Sequence, residues 1–293
     1  MRKPPIDGVL LVDKPSGPTS HDVVSVVRRS LGMKRVGHAG TLDPFATGLL
    51  VILLGRATRL LPYMDAEPKE YEATVRFGVA TDTDDVTGSA TAEAARPTRA
   101  AVEAAIAKLT GDIVQQPPAF SAKQVGGRRS YAAARRGEVL ELQPVKVRVH
   151  GWTVRAWRDG ELDATIVCSG GTYVRALARD LGELSGSAAH LGALRRVRSG
   201  PFTVAEASTL DEVADGEARI LGPIEAVRSM PAEQLGEEAV ARVVNGRPVE
   251  ATVAGDRAAL VDAAGALVAV AARESGDDGA ELWQPRLVLR DAS

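Results

Sequence analysis

The run Leu49-Leu50-Val51-Ile52-Leu53-Leu54 contains no polar residue. It is too short for a buried helix and has the length of a buried strand. Directly before it stands Gly37-His38-Ala39-Gly40-Thr41-Leu42-Asp43-Pro44-Phe45-Ala46-Thr47-Gly48, which holds one carboxylate, one histidine and three glycines within 12 residues. The pair therefore predicts a polar, glycine-shaped loop anchored on the core, which is how a scaffold presents a reactive group.

The flanking sequence extends this core. Gly8–Val12 reads as a buried strand ending in the turn residues Asp13-Lys14-Pro15-Ser16-Gly17-Pro18. Ser20 is placed to cap a helix carrying Val23, Val24, Val27 and Leu31 on one face, ending near Gly32. A short helix is expected over 56–64. Tyr71, Ala73, Val75, Phe77 and Val79 alternate with Glu72, Thr74, Arg76 and Gly78, the period of a half-buried strand. Thr98 caps a helix through Val102, Ile106 and Leu109. Strands are expected at 145–157, 161–168 and 194–200, and a helix after Gly170-Gly171. Helices are further expected at 208–214, 218–227 and 236–245, and short strands at 258–272 and 281–290. The pattern predicts an α+β fold of two parts divided at Met230-Pro231: a larger domain, residues 1–230, and a small, mostly β module, 231–293.

Charge divides the 293-residue chain similarly. From 201 onward there are 8 Arg, no Lys and 17 acidic residues, a net of −9, whereas residues 1–200 carry +7. A polyanion would thus be held by the first part. Residues 120–149 concentrate seven basic side chains (Lys123, Arg128, Arg129, Arg135, Arg136, Lys146, Arg148) against Glu138 and Glu141. That excess favours a polyanion-contacting arm over a solvated helix. The single Cys168 excludes a disulfide framework and a cysteine metal cluster. Without a secretory h-region or a run approaching membrane-span length, a soluble cytoplasmic protein is expected.

Few residues are positioned for chemistry. Asp43-Pro44 is compatible with a helix N-cap and N1 pair, but the surrounding glycines favour a nucleophile or general base. Gly37 and Gly40 are expected to permit close backbone approach to a ligand. Asp82, Asp84 and Asp85 suggest a calcium loop, but Val86 and Thr87 occupy positions that would need ligands or glycine. The four histidines have no ligand spacing, and there is no dinucleotide or phosphate-loop glycine motif. No metal or cofactor is expected. Tyr173 and Arg175 follow the Gly170-Gly171 turn at once, and an arginine beside Asp43 would keep it ionised.

Five segments in order, Gly8–Pro15, Gly37–Gly48, Lys69-Glu70-Tyr71, Gly171–Arg175 and Leu194-Arg195-Arg196, together resemble the TruB-type family of bacterial tRNA pseudouridine-55 synthases. The similarity spans roughly residues 6–205. It implies a pseudouridine synthase fold, a mixed and largely antiparallel sheet flanked by helices, with a PUA-like C-terminal domain. It implies that Asp43 is the catalytic aspartate and that Tyr71 stacks on the target base. Arg175 would pair with the carboxylate, and Tyr173 would belong to the pocket. His38 would help hold flipped-out nucleotides, Lys14 and Leu194 would support or line the pocket, and Asp85 would lie at its rim. Residues 120–149, with Lys123, Arg128 and Arg129, would form a thumb that closes on RNA. The implied partner is the T stem-loop of tRNA, bound by a monomer with no obligate protein partner. Ala39 stands where many family members have Thr. A synthase for another RNA site, a non-catalytic RNA-binding or tRNA-folding protein, and a two-carboxylate glycosidic hydrolase are the alternatives. The last lacks a second framed carboxylate.

Overall fold

A computed structural model describes residues 6–118, 124–125, 128–129, 142–276 and 279–290. Its centre is a mixed, largely antiparallel sheet of 11 strands. The first 12 described strands of the chain are β1 (Gly8–Lys14), β2 (Val36–Ala39), β3 (Thr47–Leu54), β4 (Lys69–Phe77), β5 (Val79–Thr81), β6 (Ala90–Glu93), β7 (Gly111–Gln115), β8 (Gln124–Val125), β9 (Arg128–Arg129), β10 (Val145–Arg158), β11 (Glu161–Cys168) and β12 (Ala189–Ser199), and eight of them belong to this sheet. Along the sheet the order is β1-β3-β12-β4-β11-β10-β7, with β2 beside β3. The β3–β12 pairing is parallel; the other pairings on this path are antiparallel. The hairpins β5–β6 and β8–β9 stand apart from it.

The unbroken apolar run of β3 has a physical cause. Leu50, Ile52 and Leu54 face one core with Val23, Val24 and Val27 of helix α1 (Ser20–Leu31). Leu49, Val51 and Leu53 face a second core with Val9, Leu11, Phe202 and Val227. Both faces are dry, so neither can alternate with polar residues. Strand β4 has one such face only: Tyr71, Ala73, Val75 and Phe77 are buried while Glu72, Thr74 and Arg76 reach outward. At about 25 cal/mol per Å² of apolar surface, these two cores supply most of the gross stabilisation.

Several local expectations change. The α1 cap is Thr19, which accepts from Asp22 N in a reciprocal capping box with the Asp22 side chain; Ser20 is buried and bonded elsewhere. Residues 55–63 form a 3-10 helix around Pro62. The region 218–227 is not one helix, because Ile220-Leu221 pairs with β1 before Pro223 opens a short 3-10 helix. Part of the glycine-rich stretch is strand, since Val36–Ala39 pairs with Leu54–Val51. Asp43-Pro44 starts no helix; Ala46 N bonds Asp43 O at 3.2 Å in a tight turn.

Helices α2 (Arg99–Lys108) and α3 (Val174–Leu184) pack on the same core as α1. A separate five-stranded sheet begins at Ala232 and carries the helix Glu237–Val244. Its Ala259, Val270 and Leu287 join the second core beneath β1 and β3. Among the described residues, no helix is long and apolar enough to cross a membrane.

Candidate active site

The loop from Gly40 to Ala46 has no regular structure, yet its carbonyls from Gly40 to Pro44 all find donors. Arg196, buried on β12, donates to Gly40 O at 3.0 Å, Thr41 O at 3.4 Å and Leu49 O at 2.8 Å. Ser20 Oγ donates to Leu42 O at 3.0 Å and accepts from Leu42 N at 2.9 Å. Asp43 O accepts from Ala46 N, and Pro44 O accepts from Gly17 N at 2.8 Å and Lys14 Nζ at 3.1 Å. Leu42 and Ala46 are buried as apolar anchors on either side of Asp43. A loop so bonded holds the Asp43 side chain in place before any substrate arrives.

Arg175 enters from the first turn of α3. Its Nε lies 3.0 Å from Asp43 Oδ2 and its Nη2 donates to Asp43 Oδ1 at 3.2 Å, a bidentate pair. Its Nη1 donates to Thr83 O at 2.9 Å and lies 3.4 Å from Asp85 Oδ2. The arginine side chain is only 6% exposed, whereas Asp43 retains 35%. The guanidinium is thus closed off while the carboxylate stays reachable. Burial pushes the Asp43 carboxyl above the usual aspartate value, Arg175 opposes this, and Asp85 adds to the rise.

Asp85 was expected at the pocket rim, but it is buried beneath Arg175. One of its oxygens accepts from Thr83 Oγ1, Thr87 N and Thr87 Oγ1, leaving the other for the guanidinium. It is an arginine partner. Lys14 is also buried; its Nζ donates to Pro15 O and Pro18 O, both at 2.8 Å, as well as to Pro44 O. Burial lowers its pKa to about 8 against the pull of Asp43. Lys14 thus ties the two loops together, the supporting role of the two expected for it.

Tyr71 lies on β4 opposite Arg196 of β12, and Ala73 lies opposite Leu194, so Tyr71 and Leu194 share a face. Burial raises the Tyr71 phenol pKa; the Arg196 charge and hydrogen bond oppose this, and the nearby Asp43 charge adds to it. Tyr173 is the residue before α3. Gln115 fixes its backbone by accepting from Tyr173 N at 2.8 Å and donating to Tyr173 O at 3.0 Å. His38 sits on β2 opposite Ile52, half-buried, with its Nδ1 unpartnered. Burial first, then the charges of His21 and Arg196, lower its pKa. Lys123 lies outside the described residues. For Arg128 and Arg129 only the backbone of strand β9 is described, paired with β8. The Asp43–Arg175–Asp85 group, Tyr71 and Lys14 therefore converge, and Tyr173 and Leu194 flank them.

A cleft of about 610 Å³ is lined by Phe45 and Thr47 from the end of this loop, Leu194 and Arg195 of β12, and residues of β4, β10 and β11 such as Thr74 and Asp163. Asp43 does not line it but stands two residues before Phe45. Among the described residues, no three His, Cys, Asp or Glu side chains are grouped to hold a metal.

The glycines of this stretch differ in their surroundings. Gly48 (φ +99°) passes so close to β12 that a Cβ there would lie 2.3 Å from Arg196 O. Gly40 (φ +93°) lies under Lys69 and Arg196, whereas Gly37 has only Thr58 Cγ2, at 3.8 Å. Gln115 is a structural partner that the sequence reading passed over, Ser20 was read only as a helix cap, and Arg196 was named only within its segment. Arg196 alone had a signal, since counting two residues on from Leu194 puts it on the buried face.

Comparison with known proteins follows the same lines. Residues 28–174 match the model of the TruB family pseudouridylate synthase N-terminal domain, and 175–227 match the tRNA pseudouridylate synthase B C-terminal domain. A protein from Thermobifida fusca named tRNA pseudouridine synthase B is 47% identical, covering 92% of this chain and 96% of its own. One of the same name from Symbiobacterium thermophilum is 48% identical over 82% of each chain. Among solved structures, an H/ACA ribonucleoprotein bound to a substrate RNA aligns with TM-score 0.74 over 98% of this chain and 86% of that one. An archaeal Nop10–Cbf5 complex aligns with TM-score 0.71 over 98% and 87%. Both are 23% identical, a likeness of fold alone.

Proposed function

The chain belongs to the TruB family of pseudouridylate synthases, and on that premise we propose that it converts uridine 55 in the T loop of tRNA to pseudouridine with Asp43 as the nucleophile. The reaction breaks a C–N glycosidic bond and forms a C–C bond between the same sugar and base. No group enters or leaves and no electrons are exchanged, so the chemistry can be carried by side chains alone. The observation that carries the proposal is the half-open Asp43 carboxylate, gripped by a closed-off arginine on a fully bonded loop.

Asp43 attacks sugar C1′ or uracil C6, or assists formation of a glycal. The detached base then rotates, and its C5 proton leaves. Flipping the target out of the loop costs about a few kcal/mol. Stacking on an aromatic ring returns roughly 1–3 kcal/mol per base, the part assigned to Tyr71. Tyr173, Leu194 and His38 surround the flipped nucleotide in this reading, and the basic segment 120–149 closes on the RNA. Residues 231–293 form a PUA-like domain. In this reading the protein acts as a cytoplasmic monomer without an obligate protein partner.

The test is Asp43→Asn. Pseudouridine formation, followed as tritium released from C5-labelled uridine in a T-loop transcript, should vanish while tRNA binding persists. Substantial turnover by the variant would exclude the mechanism. Mapping the modified position in the wild-type reaction tests the assignment to position 55.

A further inference from the structure

Lys69 opens β4 two residues before Tyr71, and the pleat puts both on the same face of the strand. A lysine at a strand end ordinarily carries its ammonium into water. Here the side chain is half-buried and folds back over the Asp43 loop: a Cβ on Gly40 would lie 3.2 Å from Lys69 Nζ and 3.5 Å from Arg196 Nη1. Among the described residues the Lys69 ammonium has no hydrogen bond and no ion pair.

Its neighbours supply no full counter-charge. Arg196 repels it. The Cys168 thiol, opposite it on β11, is pushed by burial up to about 11 and is neutral. Glu67 attracts it more weakly than Arg196 repels it, and one Glu67 oxygen is already bonded to Gly170 N at 2.8 Å. His38, two residues before Gly40, also feels the Arg196 charge and has an unpartnered ring nitrogen. A desolvated cation without a partner is costly unless an anion arrives to meet it.

We propose that Lys69 binds a backbone phosphate of the tRNA, beside the nucleotide that enters the Asp43 pocket. This rests on the reading of the site as one for tRNA and adds the residue that fixes the backbone next to the reacting base. A phosphate there completes the ion pair that the protein leaves open, and its position over Gly40 sets how deeply the flipped nucleotide reaches toward Asp43.

The experiment uses the full chain carrying Asp43→Asn, with Lys69→Gln or Lys69→Arg added, and tRNA binding measured between 50 and 200 mM salt. Lys69→Gln should flatten the plot of log K against log salt by about 0.7–0.9, the loss of one phosphate contact, and Lys69→Arg should keep the slope. Lys69→Met supplies a second neutral side chain if glutamine disturbs folding, as judged by thermal melting. An unchanged slope in the neutral variants overturns the proposal, as does an equal flattening in Lys69→Arg. Pseudouridine formation by the wild-type chain is followed in parallel. Its absence removes the proposed reaction, whereas an active wild type with unchanged slopes removes the Lys69 contact alone.

Discussion

Ser20→Ala isolates the contribution of the bonded loop from that of the catalytic groups. The hydroxyl is buried and makes both hydrogen bonds of the Leu42 peptide groups, one residue before Asp43. Alanine fills nearly the same space but leaves a buried N–H and a buried C=O unpaired. At about 1–3 kcal/mol for each orphaned group, partly relieved by relaxation, the stability loss should be about 2–4 kcal/mol. That lowers the melting temperature by about 2–4 °C for each kcal/mol in a domain of this size. The second effect is positional. A shift of about 1 Å in a reacting group can cost on the order of 100-fold in rate, so single-turnover pseudouridine formation should fall roughly 10–100-fold while tRNA affinity stays within a few fold. Thr19→Ala is the control. It removes the α1 cap, at about 0.5–2 kcal/mol, without breaking a bond to the Asp43 loop. The assay is single-turnover tritium release at saturating tRNA, well below both melting temperatures. If Ser20→Ala loses no more rate than Thr19→Ala, the argument that loop bonding positions Asp43 fails.

Two further outcomes follow from the geometry. Because burial raises the Asp43 pKa and the nucleophile must be ionised, the rate should be full at neutral pH and fall as pH drops through that raised value. The acid limb of the single-turnover rate should therefore lie above about 3.9, the ordinary aspartate value, and a limb at or below it would contradict the assigned burial. Gly48→Ala, which would put a Cβ 2.3 Å from Arg196 O at φ +99°, should lower the melting temperature more than Ser20→Ala does. Gly37→Ala, with its nearest atom at 3.8 Å, should leave melting within about 0.5 kcal/mol of wild type; equal effects from the two glycines would refute the packing account.

The sequence alone determined much of this protein, because some physical signals are local. The unbroken run Leu49–Leu54 had to be a strand with two dry faces, and the alternation from Tyr71 to Phe77 had to be a strand with one. The polar, glycine-rich stretch before the first run marked where the proposed nucleophile stands, and five ordered segments were specific enough to indicate the family. Signals that depended on one residue and its neighbours misled more often. Ser20 looked like a helix cap because serine caps helices, yet Thr19 takes that place and Ser20 bonds a loop 22 residues away. Gly37 and Gly40 looked alike on paper, but only Gly40 has a positive φ and a crowded neighbourhood.

What only the tertiary structure decided is who meets whom. Arg175 and Asp43 are 132 residues apart, and Arg196 reaches Gly40 across 156. No periodicity records such distances, because a side chain's partners are set by strand order and register rather than by spacing along the chain. The same registry put Asp85, expected at the rim, beneath Arg175, and it gave Lys14 its supporting place as a tie between loops. Among the described residues it also left the Lys69 ammonium without a hydrogen bond or ion pair. The sequence supplied the reactive group, and the packing of β3 against β12 decided how it is held.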